Sequence, residues 1–268
     1  MMRFFPQLQS SAVVQMPFAR LEHFRTVITE LWSGDEVRRA DARVRRRAWK
    51  LRMTGLSNSE RAGIEQLFVD CVGSLHSFTF VEPGENLLVH SEALSLGSWV
   101  VSPGLVLTQG QSDANEGSSA TLVSNPTSDP LTVSQVIPAP SWYAYVVSTY
   151  CRSTNPTNLT VELGAYAQLE SREFSPNAAW QRVALPVRSQ STEEAIVFRI
   201  TVAPLSEVFL FGAQVELGHA PSAYKATGAE TGLYTNCRFQ NDSIEWEATG
   251  INSHTVDLSL LVTYDANY

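Results

Sequence analysis

Between residues 85 and 227, apolar and polar positions alternate over short stretches that Gly, Pro, Ser and Asn clusters interrupt. Alternation of period two marks half-buried strands, and such clusters mark turns. The pattern predicts nine strands, at 98–101, 105–108, 120–123, 131–137, 143–152, 158–167, 181–187, 195–203 and 208–217. Asn155-Pro156-Thr157-Asn158 and Ser124-Asn125-Pro126 are strong turns. Many short strands and no helical period predict an antiparallel jelly-roll β-sandwich.

The flanks differ in texture. Residues 23–32 alternate, turn at Ser33-Gly34-Asp35-Glu36 and return through Val37-Arg38-Arg39, which predicts a hairpin. A strand over 43–53 places Arg43, Arg45, Arg47, Trp49, Leu51 and Met53 on one face. A single helix follows: Ser57 or Ser59 caps it, Ile64, Leu67, Phe68, Cys71 and Val72 form its apolar stripe, and Gly73 stops it. A strand over 75–81 then runs into Glu82-Pro83-Gly84, a turn and boundary.

After Gly228 come Arg238-Phe239, Ile244-Glu245-Trp246-Glu247-Ala248 and a last strand, with Val256, Leu258, Leu260 and Val262 alternating against Asp257, Ser259, Leu261 and Thr263. About forty residues with three strands cannot bury a core alone. Residues 1–84 and 228–268 therefore read as one discontinuous β-sandwich or barrel-like domain with one helix, and 85–227 as a module inserted into it. Insertion is tolerated where an exposed loop has closely spaced ends.

Composition adds limits. Hydrophobic residues make up 44% and charged residues 17%, enough for packed cores. No apolar run approaches the ~20 residues that span a bilayer, so no membrane insertion is expected. The opening Met1-Met2-Arg3-Phe4-Phe5-Pro6 is too soon broken by proline to be a secretory signal, which places synthesis in a cytoplasm. Cys71, Cys151 and Cys237 are odd in number and far apart, and read as buried apolar residues. The 1–84 segment carries a balance of +3, while 85–227 carries −6 and 228–268 carries −5, for a net −8. The basic segment thus has an acidic partner within its own domain, which argues against nucleic-acid recognition.

The candidate chemistry is sparse. Glycan cleavage needs two carboxylates about 5–10 Å apart, and Glu162, Glu170 and Glu173 offer no such signature. The five histidines are scattered, no phosphate loop is present, and no metal or cofactor is expected. Arg43, Arg45 and Arg47 suit bidentate pairing with carboxylates of their own domain or of a neighbouring subunit. Among the aromatics, Trp99, Tyr145, Tyr150 and Trp180 read as core. Trp142 and Tyr143, behind Pro138-Ala139-Pro140-Ser141, and Tyr166, near a strand end, are the candidates for stacking on a sugar ring.

Two resemblances complete the reading. In the order Trp32-Ser33-Gly34-Asp35-Glu36-Val37-Arg38, Arg47-Ala48-Trp49-Lys50-Leu51, the helix, and Gly73-Ser74-Leu75-His76-Ser77-Phe78-Thr79-Phe80-Val81-Glu82-Pro83, the flanks resemble the core of phage distal tail proteins. Arg238-Phe239, Ile244-Glu245-Trp246 and the final strand continue that match. The inserted segment resembles a carbohydrate-binding-like sandwich of phage tail proteins, through Asn86-Leu87-Leu88, Ser91-Glu92, Trp99, Tyr145 to Arg152, Trp180-Gln181-Arg182-Val183, Gly212 to Gly218 and Pro221-Ser222-Ala223-Tyr224. These resemblances imply a structural virion protein of the tail tip, not an enzyme. They imply a homo-oligomeric ring, commonly a hexamer, that joins the tail tube protein to the baseplate hub. Its outward module binds host cell-surface glycans or docks fibres. A stand-alone carbohydrate-binding or adhesin protein is the alternative, and a glycan-cleaving tailspike would need the carboxylate pair that is missing.

Overall fold

The computed structural model describes residues 2–40 and 45–264 and is mainly β, with 49% strand and one helix. In chain order, β1 (Ala19–His23), β2 (Thr26–Glu30), β3 (Glu36–Ala40), β4 (Arg45–Leu56), α1 (Asn58–Asp70) and β5 (Phe78–Val81) come first. Then follow β6 (Val100–Val101), β7 (Val106–Gln111), β8 (Ala120–Asn125), β9 (Leu131–Ile137), β10 (Ala144–Arg152), β11 (Leu159–Ala165), β12 (Gln168–Phe174), β13 (Gln181–Arg188), β14 (Ile196–Val202) and β15 (Ser206–Leu217). β16 (Leu233–Phe239), β17 (Trp246–Gly250) and β18 (Ser253–Tyr264) complete the order. The chain divides into two compact units, Met1–Phe80 with Tyr234–Tyr268, and Val81–Leu233.

In the first unit, a six-stranded sheet runs β1-β4-β18-β16-β5, with β17 also paired to β18. β18 lies antiparallel to β4 from Tyr264↔Arg45 to His254↔Leu56, with one bulge. Period two in both strands puts Trp49, Leu51 and Met53 on the same buried face as Val256, Leu258, Leu260 and Val262. Rings close this core: Trp49 lies 5.1 Å from Phe80 and 4.7 Å from Tyr234, and Phe239 lies 5.1 Å from Phe68 of α1.

Ser57 and Glu60 form a reciprocal capping box at the start of α1, which buries Ile64 and Leu67. The expected stripe overreaches at Val72, which is exposed and left-handed at φ 51° beside Gly73. The helix has already closed at Cys71, so Val72 belongs to the exit turn. The strand expected over 75–81 is confined to β5, and all four of its residues are buried.

The second unit holds two five-stranded sheets, β13-β10-β15-β8-β7 and β12-β11-β14-β9-β6. The chain changes sheet at every connection except the hairpins β7–β8 and β11–β12, which is a jelly-roll path. Val147, Val161, Leu163, Phe198, Ile200 and Val215 fill the space between the sheets. Buried Asn86 ties the start of the unit to its end: its amide donates to Ala213 O and Lys225 O at 3.0 Å each, and its Oδ1 accepts from Val215 N–H. Glu82 N–H donates to Gly232 O at 2.8 Å, so the two chain crossings of this unit lie side by side.

The alternation argument finds nine of the ten strands of this unit and misses β12. That strand pairs only β11, at the sheet edge, and five of its seven residues are exposed, so it carries no apolar face to register.

Candidate functional site

One end of the sandwich is formed by residues 138–143, the two-residue turn Tyr166-Ala167 between β11 and β12, and residues 189–195. Glu193 joins all three. Its carboxylate accepts the backbone N–H of Tyr166 at 3.0 Å and of Ala167 at 3.5 Å, and its carbonyl accepts Ser141 N–H at 2.9 Å. Ser141 Oγ donates to Ser191 O at 3.1 Å. The turn is tight by composition: a Cβ on Gly164 would stand 2.5 Å from Gln168 O.

On this frame Trp142 is 37% exposed and Tyr166 is 72% exposed, so both present ring surface to solvent at one end of the unit. Tyr143 does not. It is 1% exposed, stacked 6.2 Å from Tyr145 and edge-on to Trp142 at 6.1 Å, and burial pushes its phenol far above the usual range. Contrary to the sequence expectation, Tyr143 has no ring face open to a sugar; it packs behind Trp142 in the interior. Both residues lie in the turn before β10, where Trp142 stays exposed and Tyr143 is buried.

Of the aromatics expected in the core, Trp99 and Tyr145 are buried, whereas Tyr150 and Trp180 are only half-buried. Both lie on the outer side of the sheet containing β10, near Arg152 and Arg182. That arginine–aromatic cluster escaped sequence reading. The alternation along β10 does carry the signal, since Tyr150 and Arg152 fall opposite buried Cys151.

Arg43 lies outside the described residues. Arg45 and Arg47 both face Glu22 of β1, Arg45 at 3.9 Å, and Arg47 also donates to the Tyr234 hydroxyl. Arg47 is buried, and its guanidinium lies 5.4 Å from the Tyr234 ring and 5.5 Å from the Tyr264 ring. These contacts hold the edge strand β1 to β4 within one unit. Arg46 and Lys50, of opposite parity, point to solvent instead.

Two of the three carboxylates weighed for bond cleavage, Glu162 and Glu173, have local partners. Glu162 accepts from Thr201 Oγ1 at 3.1 Å and lies 3.9 Å from Arg199, and Glu173 accepts from Asn158 Nδ2 at 2.9 Å. Among the described residues, no group of three or more His, Cys, Asp or Glu is arranged to hold a metal ion. The three cysteines are free and buried, and burial raises each thiol, Cys151 to about 11. No helix is long and apolar enough to cross a membrane among the described residues.

No known family matches this sequence, and no curated protein does. Among solved structures, the chain is similar to a carbohydrate-binding module, TmCBM61, in complex with β-1,4-galactotriose, at 17% identity and a TM-score of 0.41 over 50% of this chain and 99% of that one. It is similar to the CBM22-1 xylan-binding domain of Paenibacillus barcinonensis Xyn10C at 13% identity and a TM-score of 0.42, over 52% and 98% of the two chains. It is also similar to the enzymatically active domain of tailspike protein 4 of bacteriophage CBA120, at 15% identity and a TM-score of 0.43, over 52% of this chain and 22% of that one.

Proposed function

We propose that Val81–Leu233 is a glycan-binding module that holds sugar on the ring faces of Trp142 and Tyr166, without cleaving it. The observation that supports this reading is the Glu193 junction, which bonds the backbones of Tyr166 and of Ser141, next to Trp142, to one residue beside two solvent-exposed aromatics. Ring faces attract the C–H faces of pyranosides, and the surrounding Ser and Glu groups supply polar partners. Each ring contributes about 1 kcal/mol, so a single site is weak.

In the same proposal the chain is a structural protein of a phage tail tip. Met1–Phe80 with Tyr234–Tyr268 builds a ring, commonly hexameric, between the tail tube protein and the baseplate hub. The hairpin β2–β3 supports a subunit contact. All ten of its strand residues are exposed, it pairs with no other sheet among the described residues, and Trp32 at its turn is fully exposed. A two-stranded sheet is marginal in water without something to pack on. A ring of weak sites raises avidity about 10²–10⁴-fold. Glycan arrays probed with the full chain test the module, and light scattering tests the ring.

A second reading follows from the self-contained core between the two five-stranded sheets. The protein would then be a stand-alone carbohydrate-binding or adhesin protein, monomeric in solution and binding glycan without a tail.

A further inference from the structure

About ten residues along the chain from Trp142, at the far end of β10, lies a group that the platform leaves unused. At ~3.3 Å per residue the two places are about 30 Å apart. The register Cys151↔Leu210 and Arg152↔Phe209 sends Cys151 and Leu210 into the core, so Arg152 and Phe209 face outward. The Arg152 guanidinium lies 4.2 Å from the Phe209 ring centre and 5.1 Å from that of Trp180. Its Nε is buried without a hydrogen-bond partner, and among the described residues no carboxylate stands within ion-pair distance of it.

Arg182, nearby on β13, shares the unpartnered buried Nε but differs at its terminal nitrogens. Its Nη1 donates to Ser222 O at 2.6 Å and its Nη2 to Ser148 Oγ at 2.9 Å, so its terminal groups are used by the fold. Glu207, two residues from Phe209, is the nearer in sequence of the two acids on β15, and its Oε1 accepts from Ser124 Oγ at 2.9 Å. Among the described residues, Arg152 therefore keeps a half-buried charge with no carboxylate at ion-pair distance, held against two rings. Removing a cation from water costs free energy that an opposite charge normally offsets. Ring stacking fixes the guanidinium but does not satisfy its N–H donors.

The surroundings suit a saccharide. Ser153 N–H donates to Asn177 O at 2.8 Å, bringing together two loops whose Thr154, Asn155, Asn158, Ser175 and Asn177 line an open cleft; its lining starts at Ser153, next in sequence to Arg152, and ends at Ala178, two residues before Trp180. Amides and hydroxyls read sugar hydroxyls, and a guanidinium reads an oxyanion bidentately. We propose that Arg152, stacked on Phe209 and Trp180 and adjoining this cleft along the chain, is a subsite for the carboxylate or phosphate of an acidic glycan. The proposal rests on the glycan-binding reading but uses none of the residues of the Trp142–Tyr166 platform.

The test uses the full chain, with affinities for polygalacturonate and its fully methyl-esterified form, and for phosphomannan and its dephosphorylated form. The two pairs separate a carboxylate from a phosphate source. Polyglutamate serves as an acidic polymer without sugar. The wild type is expected to prefer at least one charged glycan over its neutral twin by about tenfold. R152Q should abolish that preference at an unchanged melting temperature and unchanged neutral-glycan affinity, and R152K should restore part of it. Retention of the preference in R152Q overturns the proposal, as does equal binding of polyglutamate. Neutral binding without any charge preference overturns this subsite alone. Absence of binding to every glycan overturns the platform reading and this one with it.

Discussion

Side chains whose role is set by a few local bonds are the most direct to test. Ser57 and Glu60 satisfy the first backbone donors of α1 reciprocally, so Ser57→Ala should cost about 1 kcal/mol, visible as a lower urea midpoint at unchanged slope. Asp113 accepts the backbone N–H of Asn115, Gly117 and Ser119 at 2.8, 2.9 and 2.9 Å. Burial alone would raise its carboxyl, but these three donors outweigh burial and hold it below its usual range. A folded value below the unfolded one gives stability that is complete above about pH 4 and drains as pH falls toward the folded value. Asp113→Ala should therefore lower the melting temperature at pH 7, with a gap to wild type that narrows toward pH 2; a pH-independent gap contradicts the assignment. The cap was legible only as Ser57 or Ser59, and its partner Glu60 emerged from the structure. The roles of Tyr143 and Arg152 were not legible, because they depend on how the turn before β10 folds inward and on which face of β10 the other sheet covers.

Elements with an apolar face were readable and those without one were not. β18 alternates cleanly and pairs β4 across the length of the chain, and α1 announces itself through its cap and stripe. β12 is an exposed polar edge, and pairing with β11 rather than its own composition makes it a strand. The hairpin between β11 and β12 also carries Tyr166, which links fold to site. Gly164→Ala would drive a Cβ to 2.5 Å from Gln168 O, a backbone atom that cannot swing away. The expected result is a stability loss of about 1–3 kcal/mol together with weaker glycan binding, measured on the same preparation by thermal denaturation and an array. Equal stability with lost binding would show that the turn shapes the site without supporting the sheet.

For the whole molecule, the fold class was legible because strands, turns and one helix each carry their own local signal. Assembly was not, because a solvent-facing surface and a subunit contact differ only in what covers them. The hairpin β2–β3 is where the ring proposal is most exposed to test. With Ile28 and Trp32 both replaced by Ser, light scattering should show the oligomer give way to monomer while circular dichroism stays unchanged. A monomeric wild type across micromolar concentrations favours the stand-alone adhesin instead.

The central claim is that Trp142 and Tyr166 form one sugar platform. Its most direct measurement is a glycan array probed with the full wild-type chain and with the Trp142→Ala, Tyr166→Ala and double variants, all shown to be folded. The account predicts binding by the wild type, a loss of about fivefold for each single change and near-complete loss for the double. Undiminished binding by the double variant contradicts it.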